Sequence, residues 1–266
     1  MGLFDIHAHL TSPRLCEHTA EILARAREAG VTTIVSNGLN PEDNQAVLDL
    51  SSGSDMVQPA LGLYPVDAVL PEMLELGVDY PRDSEVHPED AIEWVRDHVE
   101  QAVAVGEVGL DHYWVPDTLW ELQEQRFRKL VSIALEADKP LIVHTRKAER
   151  RTFEVLVEMG VRKVNWHCYS SKLKLAKQIA AEGHYLSIPA NVVRSQSFAR
   201  IAMELPRESL LLETDCPYLA PEPGGESEPA HVLGSITFMA KQWGCSVESA
   251  QTQLEANFER LMGFAP

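Results

Sequence analysis

Short apolar runs recur along the chain, separated by amphipathic stretches of helical period, a rhythm that feeds strands into a parallel sheet through helical crossovers. Eight runs read as strands: Leu3 to His9, Val31 to Ser36, Val57 to Leu63, Ala102 to Leu110, Leu141 to His144, Lys163 to His167, Tyr185 to Ile188 and Leu210 to Thr214. The helical period between them is carried by Leu15, Ile22, Leu23 and Ala26, by Ile92, Val95 and Val99, and by Leu119, Leu122, Phe127, Leu130 and Ile133. Another helix starts at Pro41 behind the capping Asn40, and further ones fit 147–159, 171–182, 194–204, 229–242 and 246–262. Eight strands alternating with helices predict a TIM (β/α)8 barrel. Two connections are longer than ordinary strand-to-helix loops: 64–88, and the Pro/Gly-rich 216–228. On a barrel's carboxy-terminal face such loops shape substrate binding.

Composition is consistent with this picture. A chain of 266 residues with 45% apolar content can bury one large core, and 1–266 reads as a single domain. There is no basic amino-terminal leader and no apolar run of the roughly 18 residues a membrane span needs, so a soluble, cytoplasmic protein is expected. Cys16, Cys168, Cys216 and Cys245 are scattered and form no C-x-x-C pair, the usage of reduced packing thiols. The formal net charge of −17 excludes a broad cationic surface for nucleic acid. The charge is uneven, however: residues 71–100 hold ten Asp/Glu and two Arg, and residues 146–177 hold nine Lys/Arg and three Glu. On charge alone both segments read as solvated faces.

Candidate chemistry begins at His7-Ala8-His9. Residues i and i+2 of a strand share a face, so the two imidazoles can converge on one point, half of a metal site. In a barrel of this kind the active site forms at the carboxy-terminal ends of the strands, which narrows the search for the other half. The fourth strand carries Gly106-Glu107-Val108-Gly109-Leu110-Asp111, the fifth ends in His144-Thr145-Arg146, the sixth in His167-Cys168, and the eighth in Glu213-Thr214-Asp215-Cys216-Pro217. Each group has an ordinary alternative: a hydrogen-bonded core histidine at 144 or 167, an ion-pair partner at Glu107, a turn cap at Asp215. Together, six such groups would leave desolvated polar atoms and crowded carboxylates unless cations relieve them. Cys168 and Cys216 neighbour these residues and are expected on the opposite face by strand alternation.

These motifs, with His167-Cys168-Tyr169-Ser170, Glu213 to Tyr218 and the closing Asn257-Phe258-Glu259-Arg260-Leu261, resemble in order the successive motifs of the TatD family. That family comprises metal-dependent hydrolases of the amidohydrolase superfamily, often described as deoxyribonucleases. The resemblance implies two divalent metal ions (Zn, Mn or Mg), with His7, His9 and Asp215 on one, His144 and His167 on the other, and Glu107 bridging. There are three departures. The common Gly-x-His-Pro is Gly62-Leu63-Tyr64-Pro65, placing a phenol where a substrate-handling histidine is usual; Asn-Glu-Pro is Ser227-Glu228-Pro229; and His-Cys-Phe-Ser-Gly is His167 to Ser171 with Tyr169 and Ser171. Tyr64 can donate a hydrogen bond but, with a reference pKa of about 10, is a poor base near neutrality.

A dinuclear site lowers the pKa of bound water and clamps the oxygens of a reacting phosphoryl or acyl centre. On this reading a water near Glu107 attacks and Asp215 takes its proton. Arg146, with Lys147, either meets a substrate phosphate or carboxylate at the pocket mouth or pairs with Glu213 inside the rim; Lys172 and Lys174 add to a local anion-attracting patch. The expected activity is phosphodiester cleavage in nucleic acid, as a deoxyribonuclease. Cleavage of C–N or ester bonds, including deacylation of D-aminoacyl-tRNA, and a catalytically altered metal-binding barrel are the alternatives. Nothing in the sequence specifies a stable protein partner.

Overall fold

The computed structural model of the chain describes residues 2–81 and 86–263. Its eight strands are β1 (Leu3–Ala8), β2 (Val31–Asn37), β3 (Val57–Leu61), β4 (Ala104–Asp111), β5 (Leu141–Arg146), β6 (Val164–Trp166), β7 (Tyr185–Ile188) and β8 (Leu210–Leu212). They pair in parallel in chain order, β1 to β8. The turn of the sheet is completed where Ala8 bridges Cys216 in parallel, with Asp215 N–H donating to the His7 carbonyl (2.8 Å) and His9 N–H to the Cys216 carbonyl (2.9 Å). This is the (β/α)8 barrel that the apolar rhythm predicts.

Among the described residues ten α-helices surround the sheet: α1 (Thr19–Glu28), α2 (Pro41–Ser52), α3 (Leu70–Glu75), α4 (Pro88–His98), α5 (Trp120–Glu136), α6 (Glu149–Glu158), α7 (Leu173–Ala181), α8 (Gln196–Glu204), α9 (Val232–Trp243) and α10 (Val247–Met262). Local chemistry explains their ends. Asn40 caps α2 by accepting the Asp43 N–H at 3.0 Å, just ahead of Pro41, whose missing N–H costs nothing at that position. Ser246 caps α10 in the same way through Ser249 N–H. Helix α5 buries Phe127, Leu130, Val131 and Ala134, the i, i+3, i+4, i+7 stripe of a helix lying on a sheet. Because both faces of the sheet are covered, β1 and β4 are buried along their whole length, as parallel strands require.

The closing Asn257-Phe258 motif is structural. Asn257 Nδ2 donates to the carbonyls of Arg207 (2.7 Å) and Leu210 (2.8 Å) at the start of β8, and Phe258 stacks on Phe4 of β1 with ring centroids 4.3 Å apart. It pins α10 across the seam where the barrel closes, at the end away from the polar residues.

The connection 64–88, expected to be a loop, contains a 3-10 turn and α3. These form because Val66, Val69 and Met73 pack with Val115 into a small apolar cluster separate from the main core; residues 82–85 lie outside the described residues. Among the described residues no helix is long and apolar enough to cross a membrane.

Candidate metal centre

The carboxy-terminal ends of the strands bring the predicted residues to one place. His7 and His9 leave β1 on the same face, and their Nε2 atoms are 3.1 Å apart. Glu107 Oε2 lies 3.5 Å from His7 Nε2 and 3.4 Å from His9 Nε2, and Asp215 Oδ1 lies 3.6 and 3.5 Å from the same two atoms. On the other side Glu107 Oε1 is 2.9 Å from His144 Nδ1 and 3.1 Å from His167 Nε2, and those two nitrogens are 3.4 Å apart. Ligands about 2.0–2.1 Å from a tetrahedral cation stand roughly 3.3 Å from one another. Both groups of atoms have that spacing, and each takes one oxygen of Glu107. The residues present therefore fit divalent cations, and by donor type they suit Zn or Mn better than Mg.

The tautomers are set from behind. His9 Nδ1 sits 3.1 Å from the Asn37 carbonyl, which only an N–H can satisfy, so its Nε2 lone pair faces the centre. His144 is turned the other way, with Nε2 3.2 Å from Asp111 Oδ2 and Nδ1 facing Glu107. Asp111 is itself oriented by the N–H groups of Tyr113 (2.8 Å) and Trp114 (3.0 Å) on its other oxygen. Supports of this kind hold imidazoles in ligating geometry.

The electrostatics follow from burial set against pairing. Burial pushes His7 down to about 4, with the charge on His167 adding to it. Burial would also lower His9, but Asp215 and Glu107 override it and hold that imidazole well above its ordinary range. His144 is raised to about 9 in the same way, by Asp111 and Glu107 against its own burial. Glu107, although buried, is kept well below the usual carboxylate range by His167, His144 and His7. Asp215 is likewise lowered, by His9, His167 and His7 against burial. The two carboxylates are anionic, and their charge is answered by protons on the imidazoles that a cation can displace.

Backbone geometry explains the glycines around Glu107. A Cβ on Gly62 would lie 2.5 Å from the Gly106 carbonyl carbon and 2.6 Å from Glu107 N; the end of β3 thus packs directly on the Glu107 main chain. Gly109 has φ +150, and a Cβ there would lie 1.9 Å from the His144 carbonyl oxygen, consistent with the register that pairs Gly109 with His144. These absent side chains let β3, β4 and β5 crowd together beneath the centre.

Three residues absent from the sequence-based set support it. Asp5, fully buried, accepts the N–H groups of His7 (3.1 Å) and Thr214 (2.9 Å) and the Thr214 hydroxyl, tying β1 to the segment that carries Asp215. Its place in the alternation Asp5, His7, His9 is a usable signal. Asp111 shares the parity of Glu107 and was visible in the same motif. Glu213, fully buried and pushed up to about 7 by that burial, accepts from the Ser187 hydroxyl (2.7 Å) and Cys168 N–H (2.8 Å). Its place is thus taken, and Arg146 is elsewhere: exposed, with its guanidinium carbon 3.7 Å from the Tyr113 ring centroid. Tyr64 is half-buried with its ring 5.1 Å from that of His144. Lys172 and Lys174 are exposed around the start of α7.

Cys168 departs from expectation. Strand β6 ends at Trp166, and Cys168 adopts φ +48, so period-2 alternation no longer applies and its Sγ reaches Asp215 Oδ2 at 3.4 Å. Burial and the adjacent carboxylates raise this thiol well above its ordinary range, which leaves it a hydrogen-bond donor.

A (β/α)8 barrel whose strand ends gather four imidazoles around two buried carboxylates defines the class of metal-dependent hydrolases. The chain belongs to the family described as TatD related DNase, which matches residues 4–263. It is 30% identical over 252 residues to the human protein named deoxyribonuclease TATDN3, covering 93% of this chain and 90% of that one. It is also 30% identical over 265 residues to the Bacillus subtilis protein named uncharacterized metal-dependent hydrolase YabD, covering 97% and 98%. In fold it matches the crystal structure of YJJV, a TatD homologue from Escherichia coli K12, with a TM-score of 0.84 over 99% of this chain and 98% of that one, at 24% identity.

Proposed function

We propose that this protein is a phosphodiesterase acting on nucleic acid, a deoxyribonuclease, and that it works with two divalent cations. The observation that carries the reading is Glu107, whose two oxygens serve separate groups of donors, His7, His9 and Asp215 on one side and His144 and His167 on the other. Bound there, the cations supply Lewis acidity and make a coordinated water acidic enough to be deprotonated near neutral pH. Asp215 is the residue that takes the proton from the attacking water: its Oδ1 faces the imidazole pair, its Oδ2 is steadied by the Cys168 thiol, and its carboxyl is anionic. Arg146 at the mouth and the Tyr64 phenol beside His144 bind the substrate phosphate, the first by charge and the second by donating a hydrogen bond. The deoxyribonuclease named among the relatives supports the choice of phosphodiester over carboxylic ester or C–N substrates.

The test is hydrolysis of labelled single-stranded DNA by protein loaded with Mn or Zn, run beside Asp215→Asn. The variant should lose at least about 100-fold in kcat, the usual worth of a positioned base, while still binding cation through its remaining donors. Equal activity in both proteins overturns the reading. So does hydrolysis of an aminoacyl ester or cyclic amide with no phosphodiester cleavage.

A further inference from the structure

Two aromatic–arginine pairs stand on the rim of the centre, and none of the roles above uses their stacking faces. The first is Tyr113 with Arg146, just beyond β4 and at the end of β5, with the guanidinium carbon 3.7 Å from the ring centroid. Tyr113 is linked to the centre through its N–H, which donates to the Asp111 carboxylate that holds His144. The second is Tyr218 with Arg14, beyond β8 and β1, with the guanidinium carbon 5.5 Å from the ring centroid and the Tyr218 ring 6.4 Å from that of His9. Arg14 is fixed from the side by Glu226 at 2.7 Å. Both tyrosines are 53% exposed, so their rings are open to a ligand.

Their placement matters as much as their composition. In a barrel whose strands run β1 to β8 in order and meet again at Ala8 and Cys216, the β4/β5 edge and the β8/β1 edge lie on opposite sides of the mouth. The two pairs therefore flank Glu107 and its imidazoles from opposite directions. A ring backed by a guanidinium offers a flat, cationic face. Nucleobases stack on such faces without regard to sequence; on the Arg146 side the positive charge also meets the adjoining phosphate, whereas Arg14 is already paired with Glu226. Bases paired in a duplex have no free face to offer. The rest of the molecule repels a polyanion, its net charge being −17, so local platforms at the mouth have the task of holding it.

We infer that Tyr113 with Arg146 and Tyr218 with Arg14 form a two-sided clamp for unpaired nucleobases, one base on each side of the phosphate presented to Glu107 and Asp215. The inference rests on the phosphodiesterase reading for the identity of that phosphate. The clamp holds the bases that flank the scissile bond by their faces, whatever their identity.

The test compares a labelled oligothymidylate with an abasic strand of equal length, both with phosphorothioate linkages so that binding is read without turnover, using Mn-loaded protein and fluorescence anisotropy. Wild-type protein should bind the base-bearing strand at least about thirtyfold more tightly, the lower end of what two stacked bases contribute. Tyr113→Leu and Tyr218→Leu should each reduce that ratio, whereas Tyr113→Phe and Tyr218→Phe, which keep the ring, should preserve it. Thermal melting identifies any variant that has merely unfolded, and the phenylalanine pair keeps the comparison decisive in that case. Equal affinity of wild-type protein for the two strands overturns the clamp. So does a ratio in the leucine variants equal to that of wild type. Preferential binding of bases without cleavage of ordinary phosphodiester strands overturns the nuclease reading and supports the clamp.

Discussion

His144 meets the centre through Nδ1 because Asp111 holds its Nε2 at 3.2 Å, and Asp111 can do so because the N–H groups of Tyr113 and Trp114 occupy its other oxygen. An amide at position 111 cannot serve both sides. Turned one way it sets an NH2 against two backbone N–H groups; turned the other way it sets that NH2 against His144. Asp111→Asn should therefore weaken cation binding by about 10–100-fold, as loss of a ligand's support does, with little change in fold. Isothermal titration with Zn or Mn measures it, and unchanged affinity would show that His144 is oriented by something else. The six residues around the centre were readable in the sequence because each lies in or just past one of the apolar runs that a barrel gathers at one mouth, although Glu107 sits mid-strand in β4 and Asp215, with φ +55 beyond β8, owes nothing to alternation. Asp5 and Asp111 share the alternation of the residues they support, but a carboxylate that holds a neighbour has the same spacing as one that faces the centre, and Glu213 lies just past β8, where alternation gives no guide. Cys168 was misplaced because a left-handed residue just past the end of β6 breaks the alternation on which the reading relied.

At the scale of elements, the strands were legible to within two residues at every end, since an apolar run buried on both faces has few alternatives. Helix α3 was not. It depends on an apolar cluster formed with Val115 and on one buried cation, neither of which is local in sequence. Arg126 of α5 donates to the Ala68 carbonyl (2.8 Å), to Glu72 of α3 (2.8 Å) and to Glu89 of α4 (3.2 Å), so one guanidinium joins three helices. For Glu72, burial raises the pKa, but Arg126 outweighs it and the carboxyl is held below its usual range. Glu89 is lowered too, by Lys129 first and Arg126 next. A depressed carboxylate stabilises the fold above its unfolded pKa, and the contribution is lost as pH falls through the lower, folded value. Arg126→Met should cost about 2–3 kcal/mol at pH 7, the worth of hydrogen bonds to charged groups with some screening at the exposed Glu89. The gap between the two proteins should narrow as pH drops below about 4. Urea melts at a series of pH values check both statements, and a gap independent of pH would show that packing of the side chain is what matters.

For the molecule as a whole, binding at the centre and stability are linked, because the donors gather only in the folded chain. A cation present at 100 times its Kd adds about 2.7 kcal/mol, which for a chain of this length corresponds to a Tm higher by roughly 5–10 °C. Chelation with EDTA should lower the Tm by that amount, and His9→Ala should blunt the response; melting curves unmoved by chelator would mean that the fold does not gather its donors around a cation. The two sides of the centre also differ in how much chain each must bring together. His144 and His167 are only 23 residues apart and project from neighbouring strands, and Glu107 comes from the strand just before them. The seam is different: Asp5 and Thr214, which align His7 with Asp215, are separated by 209 residues. Closing a long loop costs more chain entropy and comes later than closing a short one. On the ribosome, the Glu107, His144 and His167 side can therefore take shape while β8 is still unmade. The side built on the first histidines of the chain has to wait for the last strand, so the earliest donors translated are the last to be brought into place.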